Sequence, residues 1–213
     1  MEIDHIVLAA ADLEAAKQEF AEATGVMPAD GGPHPGGGTR NALVSFGDGC
    51  YLEIIAPDPG QELAGTNGQR FAALPALELL HWAVRSEDLN AVSARLSAGG
   101  LTPGPVRDMA RVAPGGDKLE WQLMGVRSQE LGGLMPFFID WQNTPHPSLA
   151  APFVGSLQAL RLGLSAESRH AVFVREFLVG LVESKNEPGL AMSFDSPTGV
   201  RVYEAVQPKG FGF

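Results

Sequence analysis

His5 and His81 open two strand-like segments, and the dipeptide Asp-Leu follows each histidine seven positions on, as Asp12-Leu13 and Asp88-Leu89. Each Asp-Leu starts a helical stretch, Asp12 to Ala23 and Asp88 to Ala98. This internal repeat constrains the fold more than any single motif, because it demands two copies of one unit whose apolar faces must meet. If the copies pack face to face, the two imidazoles converge in a cleft, and paired imidazoles suggest a metal site.

The first copy begins with a strand, Ile3 to Ala9, whose alternation places His5 with Ile3 and Val7 on one face and Asp4 with Ile6 on the other. Asp12 is suited to cap the following helix, in which Leu13, Ala16, Phe20 and Ala23 recur at helical spacing until Gly25. The prolines and glycines of Pro28 to Gly38 predict a long loop. Strands are expected at Asn41 to Phe46 and Cys50 to Ala56, joined by a Gly47-Asp48-Gly49 turn. After a polar connector over residues 57–76, the second copy offers a strand from Glu78 to Val84 and a helix ending at Gly99-Gly100. Three more strands are expected at Pro105 to Val112, Lys118 to Val126 and Met135 to Trp141. A third, truncated copy follows, with a strand at Leu157 to Leu164, a helix over Glu167 to Leu181, and short strands at Leu190 to Phe194 and Val200 to Val206.

The expected fold class is therefore α+β: paired βαβββ modules forming a curved mixed sheet around a cleft, with a truncated βαββ-like third segment. The expected units are residues 1–60, 77–145 and 155–207. A formal charge of −10 argues against a nucleic-acid surface, which needs clustered Lys and Arg. No apolar run reaches membrane-spanning length, and the opening residues lack the pattern of a secretion signal. The one cysteine, Cys50, excludes an internal disulfide, suits a reducing cytoplasm, and sits in an apolar segment as an expected core residue. The expected partner is a small-molecule substrate, with no nucleic acid and no membrane, and the expected assembly includes a homodimer.

Cys50 to Ala56 is apolar on both faces except at Glu53, and Pro136 to Trp141 repeats the pattern with Asp140. A carboxylate in such a run is costly to bury unless it is paired, hydrogen-bonded or bound to a metal. His5, Glu53, His81 and Asp140 thus form a candidate 2-His-2-carboxylate set suited to divalent Fe, Mn, Ni, Co or Zn. A satisfied core histidine and a carboxylate paired with an arginine are the alternatives for each residue. Glu120 and Glu130 compete with Asp140. His34, Thr39 and Asn41, beside the Gly36-Gly37-Gly38 run, and His146 between Pro145 and Pro147 are candidate substrate contacts. Arg40 is expected to face away from Thr39 and Asn41, His170 to be solvent-exposed, and Trp82 and Trp121 to lie in the core. No nucleophile elbow or Cys/His dyad supports nucleophilic hydrolysis.

Four segments taken in order resemble the vicinal oxygen chelate superfamily and its glyoxalase-like subgroup. They are His5-Ile6-Val7-Leu8 with Asp12-Leu13, His34-Pro35-Gly36-Gly37-Gly38-Thr39-Arg40-Asn41, Tyr51-Leu52-Glu53-Ile54-Ile55, and Pro136-Phe137-Phe138-Ile139-Asp140-Trp141. The resemblance implies metal ligands on the first and last strands of paired modules, with His5, Glu53 and His81 matching by position and Asp140 displaced. It also implies a metal-dependent lyase, isomerase or dioxygenase acting on a small oxygenated metabolite. In an isomerisation, Glu53 or Asp140 doubles as the base; in ring cleavage, His5, His81 and Glu53 form the facial triad. Metal-free relatives that only bind a small molecule, as bleomycin-resistance proteins do, supply the other expectation.

Overall fold

A computed structural model describes the chain except residues 48, 113, 114, 129, 166, 167, 169, 185, 212 and 213. Module one runs β1 (Glu2–Ala9), α1 (Leu13–Thr24), β2 (Ala29–His34), β3 (Thr39–Gly47) and β4 (Cys50–Pro57). A short α2 (Asn67–Phe71) lies in the connector. Module two runs β5 (Glu78–Arg85), α3 (Leu89–Ala98), a two-residue β6 (Thr102–Pro103), β7 (Arg107–Val112), β8 (Lys118–Met124), a two-residue β9 (Val126–Arg127) and β10 (Phe137–Asp140). The last segment holds β11 (Leu157–Gly163), α4 (Ala171–Phe177), β12 (Glu183–Ser184), β13 (Gly189–Phe194) and β14 (Arg201–Ala205).

The two modules share one eight-stranded sheet in the order β2-β3-β4-β1-β5-β10-β8-β7. Its centre shows the duplication directly: β1 pairs parallel with β4, β5 pairs parallel with β10, and β1 meets β5 antiparallel. The edge strands β2 and β7 also contact each other, so the sheet curves almost into a barrel around a cleft. Helices start as the repeat requires. The Asp12 carboxylate accepts the Ala15 N–H at 2.9 Å, and the Asp88 carboxylate accepts the Ala91 N–H at 2.9 Å.

The expected loop over Pro28 to Gly38 is instead a strand and a tight turn. β2 pairs antiparallel with β3, and only residues 35–38 form the turn. Pro33 is tolerated because β2 is an edge strand, where a missing N–H need not break the ladder. Module one is therefore a full βαβββ unit. Asp48 of the expected Gly47-Asp48-Gly49 turn lies outside the described residues, as do Glu167 and Arg169 of the expected third helix, whose described part is Ala171–Phe177.

Alternation divides the sheet's side chains into two apolar cores. Ile6, Leu8, Leu52, Ile54, Trp82 and Phe138 face the helices and the last segment, in one cluster with Phe20 of α1, Leu96 of α3, Phe177 of α4, and Leu160 and Phe194. Val7, Tyr51, Ile55, Trp121, Phe137, Ile139 and Trp141 face the concave side. The four-stranded sheet β12-β11-β13-β14 thus closes the back of the molecule, and the concave face stays available for a site.

Candidate functional site

The cleft has a volume of about 160 Å³ and is walled mainly by Tyr51, Trp121, Phe137, Ile139 and Trp141, with Phe211 also lining it. That size matches a cavity able to hold one benzene-like ring. Polar groups enter this apolar space at few points: His5 from β1, His34 from β2, Thr39 and Asn41 from β3, Glu53 from β4, Asn67 from α2 and Arg111 from β7. Pleat parity explains each position, since Thr39 and Asn41, and Tyr51, Glu53 and Ile55, are spaced by two along their strands.

Two hydrogen-bonded chains converge at the centre. In one, His5 donates its Nδ1 proton to Asp4 Oδ1 at 2.6 Å, which turns Nε2 toward Glu53. Asp4 Oδ2 in turn accepts Trp141 Nε1–H and His146 Nε2–H, each at 3.0 Å. Burial pushes the Asp4 carboxyl up, but the hydrogen bonds from His146 and His5 outweigh it and hold the group far below the usual carboxylate range. Asp4 reaches His5 because β1 carries a bulge. Ile3 pairs with Val84 and His5 with Ala83, so Asp4 is the extra residue and has no partner on β5.

In the other chain, Asn41 Nδ2 donates to Glu53 Oε1 at 2.6 Å and to His34 Nε2 at 3.2 Å, while His34 Nδ1 meets Thr39 Oγ1 at 3.0 Å. Burial lowers the His34 pKa, which agrees with a neutral ring accepting through Nε2. Glu53 Oε2 then lies 3.7 Å from His5 Nε2, and the Tyr51 ring stacks on His5 with centroids 4.5 Å apart.

The structure thus brings together His5, His34, Thr39, Asn41 and Glu53. It does not bring in the other three candidates. His146 binds Asp4 from behind and lies off the cleft wall. His81 donates Nε2–H to the Met135 carbonyl at 2.7 Å and faces the Phe211 N–H at 3.4 Å through Nδ1, so both ring nitrogens are engaged. Asp140 has the opposite parity to Phe137, Ile139 and Trp141, and accepts the Gln142 N–H at 2.7 Å. Register explains the miss. Two residues past His5, Val7 stands opposite Glu53; two residues past His81, Ala83 stands opposite Phe137. Module two therefore carries phenylalanine where module one carries its glutamate. The competing acids Glu120 and Glu130 are exposed.

Among the described residues, no group of three or more His, Cys, Asp or Glu is arranged to hold a metal ion. With His81 engaged and Phe137 in the fourth position, neither the expected tetrad nor the facial triad is assembled. These residues do not fit the metal. Two further expectations change: His170 is buried beside Gly100 rather than exposed, and Cys50 is half-buried, with burial raising its thiol pKa to about 12. Sequence reading passed over Asp4, Arg111 and Trp141 as site residues.

The fold is thus a curved sheet of paired βαβββ units around a concave cleft with aromatic side chains in its wall. Residues 3–175 match the glyoxalase-like domain, and the chain belongs to that family. A crystal structure of a hypothetical protein from Staphylococcus aureus shares the fold at a TM-score of 0.64 and 17% identity, covering 95% of this chain and 84% of that one. Methylmalonyl-CoA epimerase from Mycobacterium tuberculosis is a looser likeness, with a TM-score of 0.49 and 22% identity over 70% of this chain and 91% of that one. No curated protein matches. No helix is long and apolar enough to cross a membrane among the described residues.

Proposed function

We propose that the cleft is the active site of a lyase or isomerase that moves a proton on a small oxygenated molecule. The observation that carries this reading is the Glu53 Oε2–His5 Nε2 pair, 3.7 Å apart in an apolar cavity, with each partner held by its own buried chain. Two titratable groups fixed this way are placed for general acid–base work. Glu53 removes the proton from a carbon beside a carbonyl, and the electron pair moves into a new C=C bond as the carbonyl oxygen becomes negative. His5, its Nδ1 proton tied to Asp4, presents a bare Nε2 that takes the proton of a hydroxyl on the neighbouring carbon and passes it to that oxygen. Return of the proton to the same or the neighbouring carbon completes an epimerisation or isomerisation, and loss of a leaving group from that carbon completes a lyase step.

The test is solvent exchange. Purified protein is incubated in D₂O with a panel of small 2-hydroxy- and 2-oxo-carbonyl compounds, and deuterium incorporation is followed by NMR. Catalysed exchange is expected for at least one compound and is lost in Glu53→Gln, which retains ligand-induced thermal stabilisation. Exchange is also expected to survive chelator treatment. Its loss, reversed by Fe, Mn, Ni, Co or Zn, would restore the metal-dependent reading.

The second reading is a metal-free binding protein, favoured by walls that are apolar over most of the cleft. Thermal stabilisation by the panel without any exchange would select it.

A further inference from the structure

Arg111 is the cleft's unpaired cation. It lies on the edge strand β7, in phase with Met109, and both side chains line the cavity. The residue is 5% exposed, and its Nη1 has no hydrogen-bond partner. Among the described residues no carboxylate pairs with it, and Glu53 and Tyr51 influence it only at longer range. Burial accordingly depresses its pKa. A guanidinium removed from water without a counter-ion is costly, and a protein normally pairs such a group or neutralises it. Arg111 cannot take the second course at ordinary pH. Of the other polar groups in the cleft, Asn41 donates to Glu53 and His34 and His34 meets Thr39, while Asn41 Oδ1, an acceptor without charge, has no partner.

We propose that Arg111 is the anchor for a carboxylate of the ligand, so that the cleft takes a small organic acid with one negative charge. This deepens the active-site reading given above and rests on it for the role of Glu53, but binding itself does not require turnover. The guanidinium presents parallel N–H donors that match the two oxygens of a carboxylate. Trp121, Phe137 and Trp141 supply the apolar wall for the body of the molecule, and the cavity of about 160 Å³ admits one ring or a short branched chain. A doubly charged phosphate fits poorly, because Glu53 lies in the same cleft and one arginine cannot balance both. With its acid group on Arg111 and its carbon beside the carbonyl at Glu53, a 2-hydroxy or 2-oxo acid would span the cleft between β7 and β4.

The test compares ligands that differ only in charge. Thermal shift and calorimetry are run on the full chain with mandelate, mandelamide, lactate, pyruvate, benzoate and inorganic phosphate. At least one carboxylate is expected to bind, mandelate at least about tenfold more tightly than mandelamide, and phosphate not at all. Arg111→Met is expected to abolish that preference while leaving mandelamide binding unchanged. Arg111→Lys, which keeps the charge and loses the fork, retains part of it. Arg107→Ala, an exposed arginine on the same strand, is the control for general charge effects. Circular dichroism and the unliganded Tm verify that each variant is folded. The proposal is overturned if no carboxylate binds, if mandelamide binds as well as mandelate, or if Arg111→Met binds mandelate undiminished. Carboxylate binding through Arg111 without deuterium exchange would fail the proton-transfer reading and leave the anchor standing.

Discussion

Asp4 shows how one buried carboxylate sets the chemistry of its neighbours. It is fully buried and accepts N–H bonds from His5, Trp141 and His146. Asn at this position presents an amide donor to groups that are themselves donors. Asp4→Asn is therefore expected to destabilise the fold by about 3 kcal/mol, read from the urea midpoint, and to slow exchange about 100-fold by releasing His5. His81 carries a pH prediction of its own, in a higher window. Burial lowers its pKa to about 4 against an ordinary value of 6.5. Between those values the unfolded chain takes up a proton that the fold refuses, so stability falls as pH falls through that window. About 2 kcal/mol should be lost between pH 7 and pH 5, and His81→Gln, which can still donate to the Met135 carbonyl, should lose that much less. The stabilisation from Asp4 behaves differently: its lowered pKa keeps that contribution complete above the ordinary carboxylate range, and it fades only at lower pH. Glu53 was legible in the sequence because one acid in an apolar strand needs a reason. Arg111 was not legible, because a polar edge strand gives no sign of which parity faces inward.

At the scale of the element, register decides what parity alone cannot. The repeat of His5 and His81 was readable from spacing, but the partner of Glu53 in module two depends on which residue of β10 meets Ala83. Chain length between the strands hides that, and an acid three residues further along the strand looked like the match. The bulge at Asp4 was equally hidden, since strict alternation puts adjacent residues on opposite faces. The strand β2 escaped because its proline and glycines resemble a loop, although they serve an edge that approaches the site closely. A Cβ on Gly31 would stand 2.2 Å from Asn41 Oδ1 and 3.3 Å from Leu43 Cγ. Gly31→Ala is therefore expected to push Asn41 off Glu53, lowering exchange at least about tenfold, with at most about 1–2 kcal/mol lost in stability. Parallel kinetics and urea melts check this. A wild-type exchange rate in Gly31→Ala would show that Asn41 does not position Glu53.

At the scale of the whole molecule, the apparent third unit raises the question of independence. The sequence sets residues 155–207 apart as a truncated third module expected to pack on the same core, and that segment has its own four-stranded sheet. Its interior, however, is not its own. Phe194 lies with ring centroids 6.2 Å from Phe20 and 5.2 Å from Phe46, and Phe177 packs 6.0 Å from Phe138. Leu160, Leu162, Leu190 and Met192 belong to the same buried cluster as Ile6, Leu52 and Trp82. Removing the segment would uncover the back of the eight-stranded sheet, including large apolar side chains from both modules. One continuous core implies one cooperative transition. The three tryptophans, Trp82, Trp121 and Trp141, all lie in the paired modules, so fluorescence reports on that part alone. Amide hydrogen exchange in β11 and β13 reports on the last segment. The two probes should give the same unfolding free energy, and a fragment ending at residue 154 should aggregate instead of folding. Protection lost in β11 and β13 at denaturant concentrations that leave tryptophan emission native would establish the segment as a separate unit, leaving the back of the sheet as an interface closed by docking.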